Sequence, residues 1–434
     1  MDPNNHRPSR PGALPRAAVR PIGAAVLALC AACAGGDEMP QSDAIVYEGA
    51  RVIPGDGSGP IENAVFVVED GRFTLVGPAA DVTIPEGSTR VDLSGKTVIP
   101  ALVNAHIHLS LDRAEREDQL RHMAYYGQGT VVSMGLDEGP VPSEVRDNPI
   151  ADGARTLIAG RGITSPEPGR SEVPHWVTTE EEARTAVREV AESGADLVKI
   201  WVDDRNGQYE RLSEALYSAV IDEAHQHGLQ VAAHIFRLED AKGLLRAGVD
   251  MFAHGIRDQV LDDELLALWE ERGDVTLIPN LPGPGMPADL SWITTVPEAE
   301  LQEMQAGQTE NPAAQEAFAI QAENLIRLNG AGAHIAFGTD GSTPWAAHLE
   351  MEDMVRTGMA PAEVIHAATG GSATLFELTD VGVIASGRAA DFVVLDANPL
   401  DDITNSRMIA DVYLRGDAID RSALAAHFRG ENMQ

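Results

Sequence analysis

From Ala44 onward, short apolar runs alternate with turn residues: AIVYEGARVI, a turn from Pro54 to Gly59, AVFVVEDG, Phe73 to Val76, and TRVDLSG. Asp70-Gly71 between two apolar stretches is a hairpin signal. The pattern predicts a small β unit. After Lys96 the chain changes style, and apolar strands alternate with longer helical or polar stretches. The strands are TVIPALVNAHIH, GTVVSM, ARTLIAG, ADLVKIWV, LQVAAHIF, VDMFAH, DVTLIPN and HIAFGTD. Near-continuous apolar strands with helices between them point to a parallel sheet covered on both faces, and eight such units are the number that closes a (β/α) barrel. Near Val381 the short-strand style returns in GVIASGRAADFVVLDANP and IADVYLRGDAI. The predicted fold is therefore α/β, a (β/α)8 barrel inserted into a small composite β-sandwich formed by both chain ends. Its expected divisions are a leader over 1–33, a tether over 34–43, β parts over 44–97 and 381–425, and the barrel over 98–380.

The leader carries Arg7, Arg10, Arg16 and Arg20 ahead of an apolar run from Ile22 to Cys33. The run is well short of the ~20 residues a spanning helix needs, and it reads as an export signal. Small residues before Cys33 resemble a bacterial lipoprotein cleavage site, with Cys30 as the departure from that pattern. The expectation is lipidation at Cys33 and a periplasmic or cell-surface location, with membrane contact only through the lipid. Plain secretion is the alternative.

Composition narrows the partners. The 434 residues carry 67 acidic against 32 basic side chains, a formal charge of −35, which repels a phosphate backbone and argues against nucleic acid. Only Cys30 and Cys33 bear thiols, so the rest of the chain holds neither a disulfide nor a thiolate metal site. The lysines are just Lys96, Lys199 and Lys242. A lysine inside the apolar strand ADLVKIWV therefore stands out, because an unpaired ammonium there is costly to bury.

The candidate chemistry falls at strand ends. His106 and His108 are two apart at the end of the first barrel strand, where such residues share a face. His234 ends the fifth strand, His254 the sixth and Asp340 the eighth, and Lys199 lies on the fourth. In a parallel barrel all these ends open onto one mouth. Singly, each residue has an ordinary structural role: a satisfied core histidine, a helix cap for Asp340, an ion pair of Lys199 with Asp203 or Asp204. Convergence of all six favours a metal site, and imidazole and carboxylate donors without sulfur suit zinc, manganese, iron or nickel. His225 and His227 serve as a contrast. They close a helix predicted over Leu212 to Gln226 with Gly228 as its stop, and two-residue spacing on a helix separates their directions.

The ordered motifs VIPALVNAHIH (98–108), LVKIW (197–201), VAAHIF (231–236), FAHG (252–255) and FGTD (337–340) resemble the metal-dependent hydrolases of the amidohydrolase superfamily. The similarity is to the binuclear type with a carbamylated lysine on strand four, in the branch that includes Xaa-Pro dipeptidases and imidazolonepropionases. Ala101 and Asn104 depart from the glycine and aspartate common there. The resemblance implies two divalent metal ions, zinc first. His106 and His108 would bind one, His234 and His254 the second, a carbamate on Lys199 would bridge them, and Asp340 would complete the ligands of the first metal and carry protons. It also implies hydrolysis of an amide C–N bond in a small molecule, such as a dipeptide or N-acyl amino acid. A mononuclear cyclic-amide or lactone hydrolase is the runner-up, and a lipid-anchored binding protein without activity is the reading from another class. The chain contains no Gly-x-Ser-x-Gly elbow, no His-Glu-x-x-His helix and no phosphate-binding glycine-lysine loop. Substrate contacts are expected from loops after the strands, with Arg161, His175, Trp176, Trp201, Tyr209, Arg237, Arg257, Asn280 and Trp345 as candidates. Oligomeric state, including a homo-oligomer, is left open.

Overall fold

The computed structural model describes residues 43–431. Cys33 and the rest of the leader lie outside the described residues.

Strands from both chain ends share one eight-stranded sheet. Ile45–Val52 pairs with Ile61–Glu69 in antiparallel fashion and with Thr97–Pro100 in parallel. Thr97–Pro100 in turn pairs with Phe392–Leu395, Pro100 opposite Phe392. Alternation along these strands puts Tyr47, Phe66, Phe73 and Phe392 on one buried face. Tyr47 stacks on Phe66 at 4.8 Å between ring centroids and meets Phe392 edge-on at 5.3 Å.

Two residues after Pro100 the chain enters the barrel. Its strands are Leu102–Ile107, Gln128–Ser133, Arg155–Ile158, Val198–Val202, Val231–Ile235, Met251–Phe252, Thr276–Leu277 and His334–Ile335. Every neighbouring pair within the two barrel sheets is parallel, and these eight strands follow chain order, with the short strand Ile163–Thr164 set between His175–Trp176 and Val198–Val202 at the edge of the larger sheet. Backbone hydrogen bonds join the two sheets at both edges: Asp196 N donates to Ile158 O at 2.8 Å, and Ala105 N donates to Phe337 O at 2.8 Å. These bonds complete the (β/α)8 circuit. The formal strands six to eight are short, yet Ala253 N to Ala233 O and Ile278 N to Phe252 O, both 2.9 Å, carry the ladder further toward the mouth.

Two apolar clusters show which way each strand residue faces. Val198, Ile200, Val202, Val231, Ala233 and Ile235 pack outward with helix residues such as Val187, Val220 and Leu244. Leu197, Ala232, Ala105, Val132 and Met251 fill the barrel interior. Alternation then sends Lys199 and Trp201 inward beside Leu197, and His234 inward beside Ala232. The helix after strand four runs Glu214–Gln226, with Ser213 at its N-terminal boundary and Gly228 in the left-handed region (φ 71°), so it starts two residues later than its periodicity suggested.

Candidate active site

His106 and His254 are almost fully buried, and their rings lie 5.1 Å apart. Donor atoms of His106, His254 and Asp340 all lie within 4.8 Å of one another. His108 Nε2 adds a contact of 3.1 Å to Asp340 Oδ1, and the His106 and His254 Nε2 atoms stand 3.7 and 3.6 Å from the same carboxylate. Lys199 Nζ is 3.4 Å from His106 Nε2 and 5.6 Å from the Trp201 ring centroid. Five of the six residues thus meet around Asp340. The sixth, His234, packs against His254 at 4.5 Å between rings, but its Nε2 is engaged by Asp203 Oδ2 at 2.9 Å and lies 3.1 Å from Arg205 Nη1.

The backbone explains how Asp340 reaches in. Its φ of 57° is left-handed, which an aspartate adopts more readily than most residues. Its N–H donates to His106 O at 2.8 Å, and its Oδ1 accepts from Gly341 N at 2.7 Å. Asn104, the departure noted in the first motif, braces the same region: it donates to Gln128 Oε1 (2.8 Å) and Thr339 Oγ1 (3.0 Å), and it accepts from His106 N (3.2 Å). Strands one and eight are tied together behind the histidines. Gly338 is required there, since a Cβ would come within 2.9 Å of His106 Cβ and 2.5 Å of Ile278 Cγ2.

Electrostatics suit a cation. Burial, and then the Lys199 charge, hold His106 well below the usual histidine range; burial and the neighbouring His234 do the same to His254. His234 falls to about 3 through burial, with the Asp203 hydrogen bond opposing. Neutral imidazole is the ligating form. Burial pushes the Asp340 carboxyl up, but the His108 hydrogen bond and the charges of His106, His108 and Lys199 outweigh it and leave the group ionised far below its ordinary range. Burial brings Lys199 down to about 7. Nitrogen and oxygen donors so arranged, one atom each from His106, His254 and Asp340 within 4.8 Å of one another and His108 Nε2 against the same carboxylate, fit a divalent cation.

Neither Asp203 nor Asp204 pairs with Lys199. Asp203 serves His234 and Arg205, the latter at 2.8 Å, and Asp204 serves Arg237. Among the candidate substrate contacts, Trp201, Asn280 and Arg257 adjoin the cluster. The Asn280 carboxamide sits 2.7 Å from His106 Nδ1 and donates to Ala253 O at 2.9 Å. Arg257 is near enough to influence Lys199, His234 and His254. The others are placed elsewhere. Arg161 and His175 line a separate hollow of about 180 Å³ with Glu138 and Glu189. Tyr209 donates to Pro168 O at 3.1 Å, Trp176 Nε1 is buried without a partner among the described residues, and Trp345 packs near His122 and Tyr126. Sequence reasoning missed Arg205 and Glu167, which are joined at 3.0 Å. Arg205 lies in the run Asp203-Asp204-Arg205-Asn206-Gly207, and its φ of 51° gave no chemical signal in advance.

This barrel, with its inward-facing histidines and aspartate, defines a hydrolase. Residues 97–419 match the Amidohydrolase family, and the chain belongs to that family, whose enzymes act on C–N bonds. The chain is 26% identical to ochratoxinase of Aspergillus niger, covering 83% of this chain and 82% of that protein. It is 27% identical to imidazolonepropionase of Salinispora arenicola, over 79% and 89% of the two chains. A solved structure from Bifidobacterium longum, assigned as a prolidase, superposes with a TM-score of 0.73 at 29% identity, covering 90% of this chain and all of the other (100%).

Proposed function

We propose that the protein hydrolyses the amide bond of a dipeptide or N-acyl amino acid at the mouth of its barrel. The observation that carries this reading is the ionised Asp340 held among His106, His108 and His254, with Lys199 beside them. Amide hydrolysis is also the simplest reading of likeness to a prolidase and an ochratoxinase. His106, His108 and Asp340 would hold one divalent ion, zinc by donor type, and His234 and His254 a second, with a carbamate on Lys199 between them. Such ions, when bound, supply Lewis-acid activation of a water and of the scissile carbonyl.

The chain's own residues do the rest. Asp340, ionised at neutral pH, accepts the proton released as the water attacks, and it returns that proton to the leaving nitrogen as the C–N bond breaks. The interior wall of Leu197, Ala232 and Met251 closes the barrel beneath the site, so the substrate approaches from the loops. Lys199, brought to about 7, has the uncharged amine fraction that reacts with carbon dioxide. The test is turnover of a panel of dipeptides, N-acyl amino acids and lactones by metal-loaded protein. Cleavage of lactones alone would refute the amide reading.

The engagement of His234 by Asp203 and Arg205 supports a second arrangement, with a single ion on His106, His108, His254 and Asp340. Metal analysis of the active protein separates the two. For the leader we propose lipid attachment at Cys33 after export.

A further inference from the structure

The loops that follow barrel strands three to six are rich in arginine, and almost all of it is spoken for. Arg161 lies 3.7 Å from Glu138, Arg170 2.8 Å from Glu167, Arg205 2.8 Å from Asp203, and Arg211 2.7 Å from Asp240; Arg237 pairs with Asp204. Arg257 differs. Its backbone N–H donates to Phe236 O at 2.9 Å, which pins the segment to the end of strand five three residues after His254. Among the described residues its guanidinium has neither a hydrogen-bond acceptor nor a carboxylate within ion-pair distance, and its Nε is fully enclosed.

The nearby carboxylates cannot serve it as they stand. Asp203 is engaged by His234 and Arg205, and Asp340 by His108 and Gly341 N. A guanidinium does not deprotonate, so this cation remains charged beside the site in a chain whose acidic residues outnumber basic ones 67 to 32. Arg257 is only partly buried: its enclosed Nε is costly to leave unpaired, its outer nitrogens can be reached by a ligand, and a cation in the donor cluster would add to the positive charge nearby. The missing anion is therefore one that arrives with the ligand. The planar fork of an arginine matches a carboxylate in two-point contact.

We propose that Arg257 is the specificity residue of this enzyme, and that it binds the free α-carboxylate of the amino-acid portion of an amide substrate. The inference rests on the amide reading above and sharpens it: substrates are acids, and esterified or amidated counterparts are discriminated against. Lactones and other neutral molecules would leave Arg257 unsatisfied.

The test is calorimetric binding to the full-length, metal-loaded protein, with uncleavable probes. N-ethyl-L-phenylalanine, in which a methylene replaces the scissile carbonyl, is compared with its carboxamide, and the proline and alanine counterparts complete the set. Wild-type protein is expected to bind at least one acid about tenfold or more tighter than its carboxamide, as a bidentate charged contact would give. Arg257→Gln should weaken the acid until the two differ by less than about threefold, while the carboxamide changes little. Arg257→Lys should keep part of the gap and serves if the glutamine variant does not fold. No preference for any acid in the wild type, or a preference that survives Arg257→Gln, overturns the proposal; so does equal weakening of both probes. Cleavage of N-acetyl-L-phenylalanine is measured separately. Tight, Arg257-dependent binding of the acid probe without any amide turnover would refute the amide reading and leave the assignment of Arg257 standing.

Discussion

At the scale of single residues, Asp340 and Lys199 carry the sharpest expectations. Asp340→Asn keeps the shape but cannot take a proton, so kcat should fall by roughly 10²–10⁴ with a much smaller change in KM. Steady-state kinetics decide it, and a loss confined to KM would reassign Asp340 to substrate positioning. Lys199→Ala should lose bound metal, as read by elemental analysis, and short acids such as acetate or propionate should partly restore metal content by filling the vacated space. Unchanged metal content would refute a bridging role. These residues were legible in the sequence because chemistry at strand ends is confined by topology: once eight strands run parallel, the ends of strands one, four, five, six and eight must converge. What Asp203 does was not legible. Its acceptor atoms could have served Lys199 on strand four or His234 on strand five, and only the three-dimensional register, with Trp201 opposite His234, brings it to the latter.

Elements set the next limit. Trp201 turns inward under Gly162, where an added Cβ would lie 2.1 Å from Trp201 Cζ3 and 3.1 Å from the Lys199 carbonyl oxygen. Gly162→Ala should therefore destabilise the protein by about 1–3 kcal/mol in urea unfolding, as overpacking of a tight interior does, and should shift tryptophan fluorescence. On the helix Ala346–Thr357, His348 is buried between Ser406 Oγ (3.0 Å) and Tyr126 O (3.2 Å). Burial, followed by the Arg407 charge, lowers it from 6.5 to about 3. The folded state thus favours the neutral ring; this contribution is present in full above pH 6.5 and is lost as pH falls from 6.5 towards 3. Between pH 7 and pH 5 the wild type should lose about 2 kcal/mol more stability than His348→Gln, measured by urea midpoints. An equal loss in both would place the acid sensitivity elsewhere. The barrel strands were readable because parallel strands bury both faces and so form apolar runs. The start of the helix at Glu214 was not, because Leu212 is apolar and buried just ahead of the helix and extends the helical spacing without joining the helix.

For the molecule as a whole, the charge of −35 predicts that added salt stabilises. Most ion pairs on the surface contribute ~0–1 kcal/mol each, so screening of the net repulsion should win, and the melting temperature should rise between 0.1 and 1 M sodium chloride. A fall would show that the attractive pairs dominate. The pairing of Thr97–Pro100 with Phe392–Leu395 has a further consequence, for the order of events when the chain is made. The strand that leads straight into His106 has its sheet partner almost 300 residues downstream (Val98 opposite Val394). Closing so long a loop is entropically costly and slow. A chain emerging N-terminus first would hold the strands of its first hundred residues without one of their neighbours until nearly all of it is synthesised, and Val98 and Ile99 would stay uncovered during that interval. The β domain and the strand that carries His106 are then completed together, late, and a chain truncated before Phe392 should be a substrate for chaperones and proteases and not a smaller enzyme.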